Sequence, residues 1–164
     1  MKRLFILILL TVFLSGCGIF NLNGFIMPDD LDFLAVVESL DTPEKICGYM
    51  KDNFIYKYHS LYAPNPYTLW KTKEGDCNDF STFGVFVANY HGYTTYQIDI
   101  KFNNKIMNHY LAVYVENNGY TFSSNMEYYP WICESFIDVI KCYTNNLKSY
   151  KVYDYDMNLI EEGK

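Results

Sequence analysis

The segment Gly75-Asp76-Cys77-Asn78-Asp79 places a thiol where thiols become nucleophiles. If Asp76 caps a helix that begins beside Cys77, unpaired backbone amides and the positive end of the helix dipole favour the thiolate. The preceding glycine lets the chain turn sharply, leaving the sulfur at the surface and its own amide free to donate to an oxyanion. Such a thiol needs a base. Of three histidines, His109 stands near the start of a strand that can pack on this helix, so its ring can reach the sulfur and take its proton. His91 reads as a helix-end residue and His59 as a loop residue.

A third residue would hold the imidazole. The segment around His109 and the segment 120–124 form a hairpin, and residues facing each other across it share a face. A three-residue loop at Asn117-Asn118-Gly119 pairs Glu116 with Tyr120 and brings Asn125 to the face of His109. A two-residue Asn118-Gly119 turn brings Ser124 there instead. The longer loop, or a bulge that corrects the register, makes Asn125 the preferred partner, its amide oxygen holding one ring nitrogen while the other faces sulfur. Taken singly, these are an ordinary structural thiol, a strand histidine and a turn residue; together, at separations of 32 and 16 positions, they form a specific pattern.

The elements that must position them are readable from periodicity and caps. Asp29 or Asp30 caps a first helix carrying Leu31, Leu34 and Ala35, and Thr42-Pro43-Glu44 opens a second. The stretch from Asn53 to Pro66 reads as irregular and aromatic, with Trp70 beyond it as a buried core residue. The cysteine-bearing helix runs through Phe80, Phe83, Val87 and Ala88 and stops near His91-Gly92. Strands follow over Thr95 to Lys101, His109 to Glu116 and Tyr120 to Ser124, from their alternation. Pro130 is expected to open a helix reaching Tyr143, and Tyr150 to Tyr155 an edge strand before a frayed acidic end.

From Thr42 to Asn125 the chain resembles the transglutaminase-like superfamily of papain-like cysteine enzymes, most sharply in Gly75-Asp76-Cys77-Asn78-Asp79 and Asn108-His109-Tyr110-Leu111-Ala112-Val113-Tyr114. The resemblance implies an α+β fold with a papain-like core, in which the nucleophile-bearing helix packs on an antiparallel sheet. It puts the nucleophile on Cys77 and the histidine on His109. The family's usual aspartate falls on Asn125, a departure that related papain-like enzymes share.

The first residues read as an address. Met1-Lys2-Arg3 is a positive start, Leu4 through Leu14 is apolar but shorter than a spanning helix, and Leu14-Ser15-Gly16-Cys17 resembles a bacterial lipobox. The expected organisation is a lipoprotein signal peptide over 1–16, a tether over 17–28 lipidated at Cys17, and one transglutaminase-like domain over 29–164. Removing residues 1–16 takes Lys2 and Arg3 from 13 basic side chains, so 11 face 19 acidic ones and the formal charge becomes −8. Acyl chains, not charge, would then hold the protein to a membrane, facing the periplasm or the cell exterior.

Composition narrows the rest. Half of the 164 residues are hydrophobic, enough for one core, and the only arginine is Arg3, so the basic surface that binds nucleic acid is missing. Cys47, Cys77, Cys133 and Cys142 remain in the exported portion. If Cys133 and Cys142 share one helix, nine residues separate them by roughly 13 Å, too far to bridge; Cys47 could pair with either, but is expected to be a buried free thiol. Paired-ligand spacings such as Cys-x-x-Cys do not occur, so neither a metal nor another cofactor is expected, although Cys77 and His109 could serve as ligands. The leading expectation is a thiol acyl-transfer enzyme acting on peptide or carboxamide bonds, with hydrolysis favoured over cross-linking. The alternative is a catalytically silent binding lipoprotein whose aromatic stretch from Tyr56 to Tyr67 recognises a peptide or glycan.

Overall fold

The computed structural model describes residues 25–59 and 65–164. The signal over 1–16, Cys17, the tether up to residue 24, and residues 60–64 of the aromatic stretch lie outside the described residues. Their order is α1 (Leu31–Ser39), α2 (Pro43–Asn53), β1 (Ile55–Tyr56), α3 (Pro66–Thr72), β2 (Glu74–Gly75), α4 (Cys77–Tyr90), β3 (Thr95–Phe102), β4 (His109–Glu116), β5 (Gly119–Ser124), β6 (Glu127–Cys133), α5 (Phe136–Tyr143), β7 (Leu147–Asp154) and β8 (Leu159–Gly163). The class is α+β: β3 to β8 form one antiparallel sheet in the order β6-β5-β4-β3-β7-β8, while β1 and β2 make a small parallel pair.

The helices start where their caps dictate. Asp30 accepts from Asp32 and Phe33, Thr42 from Lys45, and Pro43 occupies the first turn of α2. Gly92, at φ 86, follows the end of α4 in the left-handed conformation that suits glycine.

Alternation along β4 divides the core in two. Ala112 and Tyr114 join α4 and the first helices in one cluster, rich in Phe33, Phe80, Phe83 and Phe86. Leu111 and Val113 pack with Phe136, Val139 and Ile140 of α5 on the other face. The approach of α4 to the sheet is close: a Cβ on Gly84 would lie 2.6 Å from Tyr114 Oη and 3.3 Å from Ala112 Cβ.

Several elements differ from expectation. Pro130 lies inside β6, an edge strand, where a missing N–H is tolerated; the last helix starts six residues later, capped by Ser135. Cys133 and Cys142 therefore belong to different elements, and their sulfurs stand 3.6 Å apart rather than a helix length. β7 is interior, paired with both β3 and β8, and the acidic terminus is the edge strand β8. The stretch expected to be irregular contributes β1 and leads into α3, with Asn65 as the cap and Pro66 in its first turn.

Candidate active site

Asp76 and Asp79 build the start of α4. Asp76 accepts from the Asn78 amide at 3.0 Å while Asp79 Oδ2 accepts from the Asp76 amide at 2.8 Å, a reciprocal cap that fixes Cys77 at the first helical position. His59 Nε2 stands 2.6 Å from the same Asp79 oxygen and secures the chain around β1 to the cap. Space, not a left-handed turn, is what requires glycine at 75: a Cβ there would lie 2.7 Å from Leu69 Cδ1 and 2.8 Å from Asp79 Cβ. The expected sharp glycine turn is thus replaced by close packing of α3 against the cap.

Cys77 meets the sheet at the beginning of β4. The ladder between β4 and β5 stops at Leu111 and Ser124, so His109 and Tyr110 extend past the end of β5. There the backbone N–H of Tyr110 faces the sulfur. Burial pushes the Cys77 thiol above its ordinary value and the Asp76 carboxylate adds to this, while the N–H groups of Tyr110, Asn78 and Cys77 itself favour the thiolate. Cys77 as a whole is 8% exposed. It borders a cleft of about 410 Å³ whose rim includes Tyr58, Ile106, Met107 and Tyr110.

His109 lies at the same end of β4, but alternation turns its ring to the face covered by α5. It stacks on Tyr143 with ring centres 5.0 Å apart and an interplanar angle of 11°. Its Nε2 is 2.8 Å from Ser124 Oγ. Among the described residues the imidazole's hydrogen bond goes to this hydroxyl and not to the sulfur. Burial, and secondarily the Lys105 ammonium, push the imidazole down to about 4, so at neutral pH it is uncharged.

The partner of His109 is Ser124, not Asn125. The hairpin turn comprises Asn117 and Asn118 alone, at φ 50 and 66, with Glu116 paired to Gly119, so the two-residue parity holds and Ser124 shares the face of His109. Asn125 stands at φ 52 in the following turn, a left-handed position that asparagine tolerates. Its Oδ1 is buried without a hydrogen-bond partner among the described residues. Tyr143 was reachable from sequence only by placing α5 correctly.

His59, Asp76 and Asp79 bring one potential ligand atom each to within 4.8 Å of one another, but both carboxylates are engaged in the α4 cap; Cys77 and His109 are not members of that group. Trp70 is half-buried against the core and donates through Nε1 to Tyr49 Oη at 3.0 Å, a packing role. Cys47 is buried, and its thiol is pushed up to about 12 by desolvation. Among the described residues, no helix is long and apolar enough to cross a membrane. No protein-family model matches the chain, and no curated protein matches it.

Proposed function

We propose that this protein is a thiol acyl-transfer enzyme with a transglutaminase-like, papain-like core, carried on a bacterial lipoprotein signal and held at a membrane through lipid on Cys17. One observation carries the reading: a capped helix start presents Cys77 to a cleft at the same strand end that bears His109, itself held by Ser124. His109 accepts the thiol proton as sulfur attacks a peptide or carboxamide carbonyl, the C–N bond breaks, and the imidazolium returns the proton to the leaving nitrogen. Water then resolves the thioester. The apolar rim of Tyr58, Ile106 and Met107 favours a peptide or protein substrate with a hydrophobic side chain near the scissile bond.

A second reading, a silent binding lipoprotein using the same cleft, draws on the burial of Cys77 and on its burial-raised thiol. An activated acyl ester separates the two. The enzyme adds one acyl group to Cys77, found by intact mass and peptide mapping, and Cys77→Ala abolishes the adduct. A binding protein gives no adduct at Cys77 under conditions where a small free thiol reacts.

A further inference from the structure

The sulfurs of Cys133 and Cys142 lie 3.6 Å apart, and nothing in the Cys77 chemistry uses either of them. Cys133 closes β6 and is 4% exposed, whereas Cys142 is exposed in the last turn of α5. We propose that these two residues form a disulfide that ties the end of β6 to the last turn of α5.

Sulfurs in a disulfide stand about 2 Å apart, so each thiol need only rotate toward its neighbour by less than about 1 Å, with strand and helix left in place. The pairing is also selective. Cys47 sits in the cluster on the other face of the sheet, beside Tyr114 and Ser123, and Cys77 lies at the cleft. Neither cysteine belongs to the cluster that holds Cys133.

The tie has a target. The residue after Cys142 is Tyr143, whose ring stacks on His109. Helix α5 has only eight residues and its fold contribution rests on one buried face of Phe136, Val139 and Ile140. A covalent link in its last turn keeps Tyr143 against the imidazole when that turn would otherwise fray.

The oxidant is a disulfide of the surroundings, such as oxidised glutathione or an oxidised dithiol protein. The exposed Cys142, as thiolate, attacks one of its sulfurs, forms a mixed disulfide and releases the first thiol. Cys133, as thiolate, attacks Cys142 Sγ and releases the second. One external disulfide becomes two thiols, and the protein loses two hydrogens.

Trypsin reads the product directly, because Lys141 lies between the two cysteines. The full chain is equilibrated with oxidised glutathione, alkylated, and digested without reductant. The proposal expects peptide 106–141, whose sole cysteine is Cys133, to be recovered joined to peptide 142–148. Cys142→Ser should abolish the joined pair and leave Cys133 open to alkylation once the chain is unfolded. The oxidised wild type should unfold a few degrees above the reduced form, with no such difference in the variant. Recovery of the two peptides separately, as alkylated or glutathione-capped species, or of Cys142 joined to a different cysteine, overturns the pairing. Equal unfolding midpoints with the joined pair present overturn the clamp.

Discussion

His109 Nε2 and Ser124 Oγ, 2.8 Å apart across the β4–β5 hairpin, form the contact that fixes the imidazole, and the Tyr143 ring closes its other side. The register that makes this pair is set by a two-residue turn of left-handed asparagines, so a backbone preference in Asn117 and Asn118 decides which side chain reaches the candidate base.

Ser124→Ala removes the hydroxyl that orients the ring. One hydrogen bond is worth about 1 kcal/mol, which corresponds to roughly a fivefold to tenfold slower acylation of Cys77 if the bond is needed in the transition state. Ser124→Thr keeps the hydroxyl and should recover most of the rate, while Asn125→Ala should have a smaller effect than Ser124→Ala. Single-turnover rates of ester acylation check the order.

Stability should fall on acidification through His109. The unfolded imidazole titrates near 6.5 and the folded one near 4, so the unfolded chain binds more protons between those values and stability is lost as pH drops through that window. The loss attributable to this group reaches about 3 kcal/mol below pH 4. Denaturant unfolding of wild type and His109→Gln at pH 7 and pH 4 isolates it: the variant should lose less stability than the wild type across the same interval.

Gly84→Ala should destabilise by about 1–3 kcal/mol, because the added methyl meets Tyr114 Oη, and that phenol is buried and bonded to Ser123 at 2.9 Å. Urea unfolding measures this. A neutral effect would mean that α4 moves off the sheet without cost.

The lipid address makes its own claim. A Cys17→Ala precursor should take up no labelled fatty acid and should leave the membrane fraction, whereas the unchanged sequence should be acylated and sediment with membranes.

Much of the frame was legible because it rests on local signals. Thr42-Pro43 and Asp76 mark helix starts through side chains that satisfy orphan amides, and strict alternation from Thr95 to Lys101 and from His109 to Glu116 marks β3 and β4. The failures came where one residue supports two structures. Pro130 suits the first turn of a helix and an edge strand equally, and only the pairing of β5 with β6 decides between them. That error separated Cys133 from Cys142 and hid Tyr143 from the site. Residue type and spacing single out Cys77 and His109 as candidates, but the choice between Ser124 and Asn125 hangs on one residue of loop length, and a single-residue shift in register reverses which side chain faces the histidine. The close packing at Gly75 left no trace in local sequence, since its neighbour Leu69 comes from α3, a helix that begins where the aromatic stretch ends.

The most direct test is the rate of Cys77 alkylation by iodoacetamide across pH 4–10 in wild type and His109→Ala, with peptide mapping to locate the label. With His109 acting as the base, wild-type Cys77 reacts at neutral pH despite its burial-raised thiol, its acid limb follows the imidazole, and His109→Ala slows the neutral-pH reaction by about 100-fold and leaves only an alkaline limb. Identical alkaline profiles for the two proteins would contradict a Cys77–His109 pair.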